Sequence, residues 1–161
     1  MMKSFLKDHH RKLKICAAFS PGGHYVEIMQ IIEACKNFDV FYVAPYSVTT
    51  KKLKKVYFLI DTAQCGTLKA MMLNVILSLK ILFKERPNVV ITTGAEIVIP
   101  ICYLAKFFLG AKIIFIETFA RVFSPSFTGR IIYPIADVFL VQWKSIIKYY
   151  GKKAKYIGRV F

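Results

Sequence analysis

The chain has 161 residues and carries 24 lysines and arginines against 9 aspartates and glutamates, a formal net charge of +15. That length fits one domain with a real core and excludes two full-sized ones. The basic surplus points to an anionic partner, nucleic acid or an acidic membrane surface, and carries no information about fold.

Residues 1–12 read as a basic extension in which His9 and His10 are solvated. The apolar run that follows is too short for a signal peptide. Residues 13–19 then predict a strand, 24–37 a helix with Ile28, Ile31, Ile32 and Cys35 on one face, and 39–45 a strand closed by Pro45. A polar, basic loop precedes a third strand at 56–61 and a long helix at 67–86, stopped by Pro87. A strand at 88–93, a helix at 96–110 and a strand at 112–118 follow. The stretch 119–134 is irregular or short-helical, 137–142 a strand, 143–151 a short helix and 154–158 a last strand. Alternating strands and helices predict an α/β, Rossmann-like, mostly parallel sheet with helices on both faces. The strands are continuous apolar runs, as strands buried on both sides require. Residues 13–161 form a single such domain.

The four cysteines, at 16, 35, 65 and 102, show no paired metal-ligand spacing and read as reduced, mostly buried thiols. No metal and no cofactor is expected, and no D-x-D motif is present to hold a metal.

In open α/β sheets ligands bind at the carboxyl ends of the strands, and three of these ends carry unusual residues. In Ser20-Pro21-Gly22-Gly23-His24 a strand stops, two glycines permit close backbone approach, and a helix begins with free N–H groups suited to phosphate. Glu27, three residues after His24, suits a capping interaction. A tight turn with a solvated histidine reads equally well. The second end, Thr92-Thr93-Gly94-Ala95-Glu96, brings another glycine to a helix start. The third ends an apolar strand in Glu117, where a carboxylate is costly unless paired or set in a cleft, and Arg121 and Arg130 are candidate partners for it or for an anionic ligand.

At these loops the chain resembles the acceptor-side subunit of two-subunit GT-B glycosyltransferases. The eukaryotic member of that family anchors the second N-acetylglucosaminyltransferase of the dolichol pathway to the membrane; bacterial members serve capsule and exopolysaccharide synthesis. The resemblance is carried by residues 20–28, 92–106 and above all 114–143, a block closest to the bacterial branch, and runs from about residue 14 to the end. It implies the N-terminal half of a GT-B fold, a heterodimer with a donor-binding catalytic subunit, and a lipid-linked, polyprenyl-pyrophosphate acceptor held by this chain. The product is a polysaccharide precursor made by an inverting UDP-sugar transferase. Its implied acceptor or pyrophosphate residues are Gly22, Gly23, Gly94, Glu96 and Arg121, with His24 and Glu117 as rival catalytic bases. The alternative is a non-catalytic membrane scaffold that recruits and activates the catalytic partner. Length favours half a transferase, inactive alone, since a two-lobed enzyme needs two α/β domains.

The helix at 67–86 has an apolar block wider than one core contact needs, edged by Lys69, Lys80 and Lys84, and too charged to span a bilayer. Lys69, Met72, Ile76 and Lys80 are therefore expected to contact an anionic membrane as an interfacial helix, placing the protein peripherally on the cytoplasmic face of the cell membrane. The aromatics and lysines of 102–112 add to that surface. Nucleic-acid binding is disfavoured, because the aromatics lie inside apolar runs and no stacking motif is present.

Overall fold

Apolar runs of the lengths seen in the sequence become seven short strands in the computed structural model, which describes residues 12–160. They are β1 (Lys14–Ala18), β2 (Asp39–Pro45), β3 (Val56–Leu59), β4 (Val89–Thr92), β5 (Lys112–Ile116), β6 (Val138–Val141) and β7 (Ala154–Tyr156). The sheet order is β3-β2-β1-β4-β5-β6-β7, and every neighbouring pair is parallel. The expected Rossmann-like fold is therefore formed. The basic extension, His9 and His10 included, lies outside the described residues apart from Lys12.

The helices are α1 (Gly23–Glu33), α2 (Thr62–Cys65), α3 (Thr67–Glu85), α4 (Ile99–Leu109), α5 (Phe127–Ile132) and α6 (Ile147–Tyr150). Strand alternation divides the core. Cys16 and Ala18 of β1 face α3, α4, α5 and α6, whereas Ile15, Ala17 and Phe19 face α1. Helices thus cover both faces unequally, with α1 carrying one side. On the other side Phe115 and Phe139 stack at 4.8 Å, and Tyr150 of α6 packs onto Phe139. Cys16 and Cys102 are buried free thiols, and burial pushes the Cys102 thiol up to about 12.

Several strands are a residue or two shorter than the sequence reading, and three further departures concern the helices. The first helix stops at Glu33 rather than 37, because the amides of Ala34, Cys35 and Lys36 bond three residues back and tighten the chain into turns. The helix expected from residue 96 opens with a 3₁₀ turn, Glu96–Val98. The sequence reading missed α2 altogether: Asp61 caps it by accepting from the Ala63 amide at 3.0 Å, and Gly66 ends it at φ 82°.

At the amino ends of the first three strands, Glu85 at the end of α3 is buried and held by the Tyr57 hydroxyl at 2.5 Å, Lys14 at 2.9 Å and Lys55 at 3.3 Å. Burial pushes its carboxyl up, but these three donors outweigh burial and bring it down to about 2. A carboxyl depressed in the fold stabilises it above the unfolded value, and that contribution is lost as pH falls toward the folded value. Glu85→Gln should therefore cost roughly 2 kcal/mol at pH 7. The difference from the parent should fade between about pH 5 and pH 2, as read by urea unfolding across that range.

Candidate functional site

The sheet changes direction between β1 and β4: the chain proceeds from β1 outward to β3, then crosses to β4 and proceeds the other way. The carboxyl ends of these two neighbours open into the crevice where open α/β sheets bind ligands. β1 delivers Ser20 to His24 there, and β4 delivers Thr93 to Glu96. The two glycine loops singled out in the sequence therefore meet.

Gly22 sits at φ 87° and is the N-cap of α1, with no side chain capping the helix. Its conformation lets the chain leave β1 and turn directly into a helix whose first N–H groups face outward. Gly23 has open space where a Cβ would stand. Gly94, at φ 115°, is buried against the ring of His24: a Cβ there would lie 3.3 Å from the imidazole Cε1. Ala95 follows at φ 81°, a strained conformation for a residue with a side chain, and nothing in the sequence signals it. The Thr93 hydroxyl donates to the His24 carbonyl at 3.2 Å, so β4 is tied to the first turn of α1.

His24 is half-buried. Its Nδ1 is sealed from solvent without a hydrogen-bond partner; Nε2 has no partner among the described residues and stays accessible. Burial pushes the imidazole below the ordinary histidine value, against the upward pull of Glu27, Glu117, the Thr93 carbonyl and Glu96.

Glu27 does not cap the helix, as its spacing had suggested. It is buried, and its Oε1 accepts from the Thr118 hydroxyl at 2.8 Å and the Phe119 amide at 2.9 Å. α1 packs against the sheet with this face inward, so the side chain reaches the end of β5 instead of its own N-terminus.

Glu117 is fully buried at that end, and its expected arginine partners are replaced by neutral donors. Oε1 accepts from the Thr118 amide at 3.1 Å; Oε2 accepts from the Ser126 amide at 3.1 Å, the Ser126 hydroxyl at 3.0 Å and the Tyr150 hydroxyl. Burial, then the Glu117 carboxylate, push the Tyr150 phenol above its ordinary value. Gly129 leaves no room beside this cage, since a Cβ would stand 2.7 Å from Glu117 Oε2. Arg121 and Arg130 are exposed and form no ion pair among the described residues. They extend into solvent because the cage already satisfies the carboxylate.

Beside the crevice, a cleft of about 310 Å³ is lined by Ser20, Pro21, Pro45, Asp61, Ala95, Glu96 and Ile97. Glu96 accepts from the Thr62 hydroxyl at 3.2 Å. Asp61, missed in the sequence, joins it because α2 turns the chain back over the end of β3. Two carboxylates suit this cleft to hydroxyl groups; the uncapped start of α1 suits an anion.

The long helix α3 buries Ile81 and Leu82 near its end in the usual way, but its first three turns invert the pattern: they bury Ala70, Asn74 and Ser78 and expose Leu68, Met72 and Ile76, the last two at 65% and 53%. Asn74 earns its inward place by bonding both the amide and the carbonyl of Ile60, at 2.8 and 2.9 Å. Lys69 and Lys80 are exposed on the same helix, and Phe107 and Phe108 at the end of α4 are exposed as well. Among the described residues no helix is long and apolar enough to cross a membrane.

A family model described as oligosaccharide biosynthesis protein Alg14 like matches residues 59–160. The chain is 47% identical over 79 residues to the UDP-N-acetylglucosamine transferase subunit alg14 of Schizosaccharomyces pombe, a match spanning 46% of this chain and 37% of that protein. The corresponding subunit of Homo sapiens is 33% identical over 89 residues, spanning 52% of this chain and 41% of that one. That of Yarrowia lipolytica is 26% identical, with 94% of this chain and 83% of that one covered. Acinetobacter baumannii MurG superposes with a TM-score of 0.73 at 11% identity, over 91% of this chain and 45% of that one. A UDP-N-acetylglucosamine 2-epimerase from Rickettsia bellii superposes at 0.72 with 18% identity, over 92% and 45%. At these identities the structural likeness concerns the fold alone. The family match covers more than half of the sequence, and the chain belongs to the Alg14-like family of oligosaccharide biosynthesis proteins.

Proposed function

We propose that this chain is the acceptor-side subunit of a membrane-associated, two-subunit UDP-sugar glycosyltransferase. It holds a lipid-linked pyrophosphate acceptor while a partner subunit supplies the donor sugar nucleotide. The observation that carries the proposal is the position of His24: its accessible Nε2 stands at the switch point of the sheet, beside the uncapped start of α1. The family membership and the relatives' names, which describe transferase subunits, support the division of labour.

In this reading the N–H groups after Gly22 receive the acceptor phosphate, and Gly23 leaves room for it. Gly94 lets the imidazole sit against the end of β4. Asp61 and Glu96 take sugar hydroxyls in the adjoining cleft, and exposed Arg121 offers a charge to the anionic end of the acceptor. His24, held neutral by burial, takes the proton of the acceptor hydroxyl on Nε2. The hydroxyl oxygen bonds to the anomeric carbon, the bond from that carbon to the diphosphate breaks, and UDP leaves with the electron pair. Glu117 is the weaker candidate for base, because four donors already occupy its oxygens. Its work is to hold the loop after β5.

The outward apolar face of α3, edged by Lys69 and Lys80, rests on the surface of an anionic bilayer at its cytoplasmic side. The names of the relatives support UDP-N-acetylglucosamine as the donor. A bacterial polysaccharide setting rests on the resemblance within residues 114–143.

The isolated chain should turn over no UDP-sugar, and activity toward a polyprenyl-pyrophosphate acceptor should appear once a donor-binding subunit is added. Turnover by the chain alone contradicts the division of labour. In the assembled pair, His24→Ala should lower kcat by about 100-fold or more with the melting temperature unchanged. A rise in acceptor KM alone makes His24 a binding residue, and no change leaves the scaffold reading. For the membrane, replacing both Met72 and Ile76 by Asp should release the protein from anionic vesicles in a flotation assay without unfolding it. Salt should weaken attachment of the parent without abolishing it. A parent that stays in solution with such vesicles at low salt rules the membrane reading out.

A further inference from the structure

The loop between β5 and α5 is fastened from several sides. The Ser126 amide and hydroxyl donate to Glu117, and the Phe119 amide donates to Glu27. The Trp143 indole N–H donates to the Phe119 carbonyl at 2.7 Å, and the Ser145 hydroxyl donates to the Val122 carbonyl. Pro125 is buried. Two phenylalanines of this fixed segment nevertheless stand outside: Phe123 is 80% exposed and Phe127, the first residue of α5, 68%. Phe123 is the most exposed large apolar side chain among the described residues, and Leu68 at the start of α3 follows at 77%.

These positions flank the crevice. α3 follows β3 and the loop follows β5, whereas β2, β1 and β4 lie between them in the sheet. All neighbouring strands are parallel, so the start of α3 and the start of α5 both stand at the carboxyl edge, where His24 lies. Both helices pack on the Cys16 face, with α4 between them. The loop is also strictly basic. No acidic residue occurs between Glu117 and Asp137, and exposed Arg121 and Arg130 bracket the two phenylalanines. Aromatic rings beside unpaired guanidinium groups match the boundary of an anionic bilayer, where rings sink below the phosphates and cations stay among them.

We propose that the loop between β5 and α5 is a second membrane contact, with Phe123 and Phe127 inserted in the bilayer interface and Arg130 among the lipid phosphates. The proposal rests on the reading of the acceptor as lipid-linked and of α3 as lipid-facing. Contact on both sides of the crevice holds its mouth against the bilayer. A pyrophosphate at the membrane surface then reaches the start of α1 while its lipid tail stays in the membrane.

The test uses vesicles of equal parts phosphatidylcholine and phosphatidylglycerol, without acceptor. Trp143 is the single tryptophan, half-buried against Phe119 and Arg159. In Phe123→Trp, fluorescence should be quenched by lipids brominated on their acyl chains, whereas the parent should keep its emission. Replacing both Phe123 and Phe127 by Ser should weaken vesicle binding about tenfold or more, with the melting temperature unchanged, since both side chains lie outside the Glu117 cage. Arg130→Gln should weaken it about fivefold at low salt. In the assembled pair, the double Ser variant should lose about tenfold in turnover of a polyprenyl-pyrophosphate embedded in vesicles. It should turn over a short-chain, water-soluble analogue as the parent does.

A parent that binds vesicles while Trp at 123 stays unquenched and the double Ser variant binds equally well overturns the proposal and leaves α3 as the contact. If that variant instead fails to assemble with the donor-binding subunit, the loop is a subunit interface and the proposal falls. Quenching at 123 in a pair that ignores lipid-linked acceptors upholds the contact and removes instead the reading of the acceptor.

Discussion

The reversal of strand order between β1 and β4 is the constraint on which the rest of this structure depends. A parallel sheet built outward from β1 in both directions must leave one crevice at its carboxyl edge, because successive connections there diverge. Both loops that border it need glycine, at φ 87° for Gly22 and φ 115° for Gly94. One turns the chain into α1, and the other lets the backbone close against an imidazole. The histidine is half-buried because β4 approaches it, and its lowered proton affinity follows from that burial.

Two buried carboxylates hold the wall of the crevice formed by the end of β5. Glu117 gathers Ser126 and Tyr150 around itself, which joins β5 to the start of α5 and to α6. Glu27 reaches the same segment from α1 through Thr118 and Phe119. Neither is an ion pair. Neutral donors in fixed positions satisfy Glu117 and one oxygen of Glu27, and they do so without lysines or arginines. The basic side chains remain outside, where α3 presents lysines beside an apolar surface that the core does not use. The same molecule thus carries a positive exterior and a crevice faced by carboxylates.

Most of the fold was legible. The strand runs, the long third helix and the stops at Pro45 and Pro87 all appear close to where hydrophobic pattern and proline rules put them. The glycine turns were legible too as backbone features, because Gly-Gly beside a helix start signals a strand-to-helix turn. Asp61 was not, since its place in the cleft depends on the short turn of α2. Glu27 was visible as a residue and misread as a cap: spacing along a helix tells which side chains share a face, not what that face will meet. The arginines near Glu117 were chosen by charge, whereas the fold offered Ser126 and a tyrosine from 33 positions further along.

By itself the sequence determined the order of elements, the parallel sheet and the two glycine turns. These are local matters of backbone freedom and of apolar runs that must be buried on both sides. Only the tertiary structure decided which polar groups meet. Thr118 finds Glu27 across 91 residues, and the ring of His24 finds Gly94 across the β1–β4 seam. It also decided which way α3 faces. Periodicity allowed an apolar face to turn inward, but Asn74 bonds the backbone of Ile60 and draws the small, polar stripe to the core. Such pairings depend on strand order and helix packing, which bring together residues far apart in the chain.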